Sequence, residues 1–118
     1  MLKNDPRAHK IDKMNYTSST IMFYWAVDKI YEQILHHNIF LNGDYKKSYD
    51  QIFEDHTLPD EPSFYINAPK RSDPTVAPEG KDSLMVLVPV GHLTNDNNPT
   101  NWEEKKQRVL KLFFLKVI

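Results

Sequence analysis

The run Leu84-Met85-Val86-Leu87-Val88-Pro89-Val90 is apolar at every position. A strand with one wet face alternates apolar and polar side chains, so an unbroken run predicts an inner strand buried on both faces. Such a strand needs partners on both edges and cover above and below. The nearest candidate partner is Phe64–Ala68. There Phe64, Ile66 and Ala68 point one way and Tyr65 and Asn67 the other, so the second face is expected to line something polar or a ligand. The connection over 69–82 holds Pro69, Pro74, Pro78 and Gly80 and is too long for a tight hairpin. Its prolines fix φ and lower the entropy lost when the loop orders.

A chain of 118 residues has room for one domain and one modest core. Lys and Arg number 15 against 16 Asp and Glu, a net charge of −1. That balance provides no basic face for nucleic acid and no strong field for steering an acidic substrate. The absence of cysteine excludes disulfide scaffolds, thiol chemistry and thiolate metal sites. Residues 1–13 are polar and patternless, read as a loop or a cut end without the apolar region of a signal peptide. The longest apolar runs, Ile21–Val27 and Leu84–Val90, fall far short of the roughly 18 residues that a spanning helix needs. VLKLFFLKVI reads as an amphipathic core helix. Attachment of residues 105–118 to a membrane surface is its alternative.

Ile21–Val27, entered through the polar Asn15–Thr20, is predicted as a strand from its aromatic and β-branched content. Asp28 can cap a short helix with Ile30, Tyr31, Ile34 and Leu35 on one face, and a loop fits the same residues. His36–Leu41 reads as a short strand ending at the turn Asn42-Gly43. Asp44 then caps the most regular helix signal, running to near Asp55. Its apolar face holds Tyr45, Tyr49, Ile52 and Phe53, with Lys46, Lys47, Asp50, Gln51 and Glu54 opposite. TNDNNPTN reads as a solvent loop. Thr100-Asn101-Trp102-Glu103 is a capping box opening a last helix with Trp102, Val109, Phe113 and Val117 on one side.

Candidate chemistry is sparse. His36 and His37 are adjacent, so in a strand they face opposite sides and cannot share a metal. His9, His56 and His92 stand without ligand spacing, so no metal site is expected. Asp60, Glu61, Asp73, Glu79 and Asp82 lie beside Pro, Gly or Ser in turn-like sequence, where carboxylates close turns by accepting backbone N–H bonds. Ser63, Ser72 and Ser83 lack a nucleophile-elbow context. Gly43, Gly80 and Gly91 are the only glycines, and none falls at phosphate-cradling spacing. Aromatic residues interleave too little with Lys or Arg for a single-strand nucleic-acid platform. No catalytic, cofactor-binding or metal-binding residue is assigned.

Three stretches nevertheless resemble one family. They are NYTSSTIMFYWAVDK, LHHNIFLNGDYKKSYDQIF and PDEPSFYINAPKRSDPTVAPEGKDSLMVLVPVGHL, together about Asn15 to Leu93. The run S-D-P-x-x-A-P-E-G-K-D, followed by V-L-V-P-V and G-H-L, is similar to the phytoene desaturase family of the bacterial and fungal type. The resemblance implies an FAD-dependent oxidoreductase that introduces double bonds into phytoene in carotenoid biosynthesis, membrane-associated and acting on carotenoid intermediates. It implies an α+β fold: a partial substrate domain of an amine-oxidase-like flavoprotein, with a mixed β-sheet and flanking helices. Strands 21–27, 64–68 and 84–90 would share that sheet, with helix 44–55 nearby. The family's glycine-rich flavin segments have no counterpart here. The expectation is therefore an internal fragment whose FAD is held by the full-length family member and not by this chain. After Glu104 the tail fits the family only loosely, as though truncated or read out of frame. The alternative is a free-standing α+β module that binds an apolar ligand or partner without catalysis.

Overall fold

The computed structural model describes residues 6–11, 13–92 and 102–117. Helix α1, Pro6–Ile11, forms within residues 1–13, where the sequence predicts a loop or a cut end. Strand β1, Ser19–Val27, is followed by a looped segment and β2, His37–Phe40. Then come helix α2, Tyr45–Phe53, strands β3, Phe64–Asn67, and β4, Asp82–Val90, and helix α3, Trp102–Val117. The short helix expected after Asp28 is absent. That segment closes through Ile34 N–H to Tyr31 O (3.0 Å), and the Asn38 side chain accepts from Leu35 N–H and donates to Leu35 O, which leaves no helical ladder to build. Loop 94–101, Thr100 and Asn101 of the capping box, and the side chains of His9, Trp102 and Val117 lie outside the described residues.

The four strands form one sheet in the order β1-β4-β3-β2. β4 is the inner strand that its composition demands, paired with β1 from Ser19↔Val90 to Val27↔Asp82 and with β3 from Tyr65↔Leu87 to Asn67↔Met85. Every pairing among the described strands is antiparallel, where the resemblance implied a mixed sheet. β4 runs against both its neighbours; β3 precedes it directly, whereas β1 reaches it only after the chain has crossed from one sheet edge to the other at β2. Nor is β4 buried on both sides. Asp82, Leu84, Val86, Val88 and Val90 are buried, while Ser83, Met85, Leu87 and Pro89 are only half-buried. Among the described residues the cover lies on one face only.

The covered face carries the core. Ile66, Val86 and Val88 are sealed, with Leu84, Val90, Phe64 and Ala68 around them. α3 lies over this face, with Val109 and Phe113 buried. The Phe113 ring meets Trp25 edge-on at 4.3 Å and Phe64 at 6.0 Å, contacts that favour a quadrupole-matched pair over a sandwich. Phe113 therefore belongs to the core, not to a membrane-facing stripe. Among the described residues no helix is long and apolar enough to cross a membrane.

Helix α2 meets the protein on a different face from the one expected: Ile52 is half-buried and Lys46, Lys47 and Glu54 are exposed as expected, but the three aromatic rings are not inward. Asp44 caps it as predicted, its carboxylate accepting from Lys47 N–H at 2.9 Å. Yet Tyr45, Tyr49 and Phe53 are exposed and meet one another as tilted ring pairs, while Ser48 is buried. The polar side faces the protein because loop 57–61 needs hydrogen-bond partners. Ser48 Oγ donates to Glu61 O, and the Gln51 amide donates to Asp60 Oδ2 and accepts from Asp60 N–H, both at 3.0 Å. At the end of α2, His56 adopts φ 52°, which turns the chain so that Thr57 N–H reaches Gln51 O at 2.8 Å. Gly91 presses against this turn and donates to Thr57 O at 2.9 Å. A Cβ at residue 91 would lie 2.2 Å from the His56 carbonyl carbon, so only glycine fits.

The β3–β4 connection is a structured knot. Two 3-10 turns, Pro69–Arg71 and Pro74–Val76, fill it, and Asp73 caps the second by accepting from Thr75 N–H and Oγ1. Lys70 Nζ donates to the carbonyls of Pro78 and Lys81, and Gly80 turns the chain at φ 72°. Arg71 binds three groups: Asp82 Oδ2 at 2.8 Å, Ile34 O at 2.8 Å and Tyr31 O at 3.0 Å. Asp82 is therefore no turn carboxylate. It is 1% exposed, at the head of the inner strand. Removing one partner of a buried pair strands the other charge, at a cost of about 3–5 kcal/mol. Arg71→Met should accordingly lower the unfolding free energy read from urea denaturation by that amount, and adding Asp82→Leu should recover most of it. A single Arg71→Met variant as stable as the parent would show that the pair is dispensable.

Asp60 links the two long helices at the surface. Its carboxylate meets Lys47 Nζ (2.9 Å) and Gln51 on α2 and Arg108 (3.2 Å) on α3. The Lys47, Gln51 and Arg108 hydrogen bonds hold its pKa down at about 2, against 3.8 unperturbed. A depressed carboxylate stabilises the fold above its unfolded pKa and loses that contribution as pH falls through the folded value. The stability difference between parent and Asp60→Asn should be present near neutrality and shrink between about pH 4 and pH 2. Urea midpoints across that range test it. Because the site is exposed, the difference should also fall with added salt.

Candidate functional site

The open face of the sheet is a continuous surface built by strand alternation. Register places Met22, Leu87, Tyr65 and Ile39 in one row across the four strands. Tyr24, Met85, Asn67 and His37 form the next, with Ala26 and Ser83 beyond. Tyr24 is 75% exposed and Ile39 73%. The first row is wholly apolar or aromatic, and Met22 and Met85 add flexible, polarisable side chains suited to irregular apolar partners. An apolar patch of this kind marks a contact surface. Two further clefts follow β1. One of about 410 Å³ lies between Met22, Tyr24 and the first turn of α3. The other, about 280 Å³, lies among Trp25, Tyr31, Leu110 and Phe113.

The second row ends in a polar cluster. His37 Nδ1 lies 2.6 Å from the Tyr65 hydroxyl and 3.4 Å from Asn67 Nδ2, and the same amide donates to His36 O at 3.2 Å. The His36 and His37 rings stack at 4.2 Å, so they do not face opposite sides as a strand reading expects. The physical reason is that His36 precedes β2 and is free of its alternation. Stacking directs the ring lone pairs in parallel instead of converging on one ion, and among the described residues no group of three or more potential ligands gathers.

The other singled-out residues serve the fold. His36 Nδ1 contacts Ser72 Oγ, and no carboxylate among the described residues bonds His36 to complete a triad. Ser63 Oγ accepts from Asn42 N–H at 3.1 Å, and Ser83 N–H donates to Asp82 Oδ1 at 2.9 Å. His56 and His92, distant in sequence, are brought to 4.2 Å between ring centroids and border a cavity of about 440 Å³ with Tyr16 and Phe53. Asp73 closes a turn as expected; Asp60 and Asp82 form ion pairs instead. The His37–Tyr65–Asn67 cluster escaped the sequence reading because it forms across β2 and β3, whose register only the folded chain supplies. One signal was available: Tyr65 and Asn67 alternate away from the buried residues of their strand.

No family model matches the chain. Curated proteins do. A phytoene desaturase of Fusarium fujikuroi is 48% identical over 86% of this chain and 18% of its own length. One of Cercospora nicotianae is 51% identical over 78% of this chain and 15% of its own length. A zeta-carotene-forming phytoene desaturase of Myxococcus xanthus is 44% identical over 96% of this chain and 22% of its own length. The chain thus spans less than a quarter of the length of these relatives. Identity at this level, over most of the chain, is far beyond what a shared fold alone produces: the chain belongs to the phytoene desaturase family.

Proposed function

We propose that this chain is an internal part of a phytoene desaturase, the FAD-dependent oxidoreductase that introduces double bonds into phytoene in carotenoid biosynthesis. In the whole enzyme it belongs to the substrate-side domain of an amine-oxidase-like fold. The observation that carries this is the open sheet face. Phytoene is a hydrocarbon with no polar atom, so whatever touches it must be apolar and must exclude water. The row Met22, Leu87, Tyr65 and Ile39 supplies such a surface on a rigid sheet. A hydrocarbon substrate also partitions into bilayers, which supports a membrane-surface setting for the whole enzyme.

The residues present do not fit a dinucleotide cradle. Gly91 is filled by the His56 backbone, Gly80 turns within the knot, and Gly43 precedes a helix whose first turn is capped by the Asp44 carboxylate. A phosphate there would meet a like charge. FAD contacts accordingly belong to other parts of the enzyme, and this chain contributes apolar surface and shape.

A chimera tests the reading. Replacing the matching stretch of the Fusarium fujikuroi enzyme with this chain should give a flavin-loaded protein that desaturates phytoene. Leu87→Lys in that chimera should lower turnover at least about tenfold while bound flavin stays stoichiometric, because the ammonium would be buried against hydrocarbon. The 118-residue chain alone should retain no flavin after desalting. Undiminished turnover with Leu87→Lys would remove the open face from substrate contact.

A further inference from the structure

We infer that the His37–Tyr65–Asn67 cluster recognises a single oxygen atom on an isoprenoid lying across the open sheet face. This rests on the reading of that face as the hydrocarbon-contacting surface. An amide nitrogen only donates, so Asn67 Nδ2, 3.4 Å from His37 Nδ1 and 3.2 Å from His36 O, marks Nδ1 as an acceptor. The Tyr65 hydroxyl at 2.6 Å donates to the same nitrogen. With Nδ1 accepting, the ring's N–H lies at Nε2, which has no partner among the described residues, in an exposed side chain. Stacking on His36 at 4.2 Å holds the ring plane. The result is one oriented N–H donor at the β2 edge of a surface otherwise made of Met22, Leu87, Met85 and Ile39.

A fixed donor beside an apolar row discriminates between ligands. A pure hydrocarbon reaching the β2 edge would strip water from Nε2–H and return nothing. A carbonyl or hydroxyl oxygen at the end of the isoprenoid would accept the bond, while its chain lies along the apolar row. Sites that hydrogen-bond an oxygen reject analogues lacking it more strongly than apolar pockets reject an extra methylene. The ligand class is therefore an isoprenoid ketone, aldehyde or alcohol, distinct from the phytoene that the family name specifies.

Two probes separate this inference from the reading beneath it. The ¹⁵N-labelled 118-residue chain is titrated with geranylacetone, an isoprenoid ketone, and with farnesene, a hydrocarbon of similar build. Both should shift the amides of Met22, Leu87 and Ile39. Geranylacetone should bind about fivefold more tightly, from one added hydrogen bond, and should also shift His37. In His37→Phe the preference should fall to about one with farnesene affinity unchanged, and Tyr65→Phe should reduce the preference without loss of thermal midpoint. If both probes bind the face but the preference survives His37→Phe, the inference fails and the apolar surface stands. If neither probe shifts open-face residues, the surface reading fails and takes the inference with it.

Discussion

The ion pair between Arg71 and Asp82 is the contact on which the architecture turns. Asp82 begins the inner strand, and Arg71 ends the first turn of the knot that leads into it. The remaining guanidinium donors reach Tyr31 O and Ile34 O in the loop between β1 and β2. One side chain thus ties together three segments that the sheet alone would leave independent. A buried carboxylate is tolerable only with its charge met: Asp82 Oδ2 faces the Arg71 guanidinium as an ion pair, and Oδ1 accepts from Ser83 N–H at 2.9 Å. Lysine could match the charge but not the fork of donors. The loop that Arg71 fastens carries Ile34, 1% exposed, into the core.

The same tie shows what the residues that resemble the family most distinctly, S-D-P-x-x-A-P-E-G-K-D, do for the fold. Asp73 caps a turn, Gly80 provides a left-handed φ, and Lys81 reaches Asp28 across to β1. Asp82 anchors the strand. The G-H-L that follows the strand is structural in the same sense, since Gly91 alone lets β4 end against the His56 turn. A long motif can therefore mark a family while several of its residues build scaffold. Function in such a chain resides in what the scaffold presents.

Much of that scaffold is legible in the sequence, and its limits have physical causes. Leu84–Val90 is inner because apolar runs need two partners, and both partners exist. Asp44 caps α2 because a short carboxylate reaches the N–H three residues on. The failures come from partners outside the local window. Periodicity assigned Tyr45, Tyr49 and Phe53 to the protein interior side of α2, yet the demands of loop 57–61 turned Ser48 and Gln51 inward. Asp82 looked like a turn acid because Arg71, eleven positions away on the far side of two prolines, cannot be paired with it before the knot is drawn. The polar cluster on the open face needs the register of β2 against β3, which no local pattern encodes.

The doubly apolar strand is where sequence and fold disagree most usefully. Met85 and Leu87 are as apolar as Val86 and Val88, yet they are half-buried while the valines are sealed. Exposing such residues has a hydrophobic cost that no feature of the described residues offsets. The same holds for Tyr24, Ile39 and the aromatic ladder of α2, which lie outside the covered core. A composition suited to two covered faces, in a chain that covers one and spans under a quarter of its relatives, is the signature of surface meant for contact. What meets it has to be apolar over most of its area. At the His37 end it also has to satisfy one hydrogen-bond donor, and that combination is narrower than hydrophobicity alone.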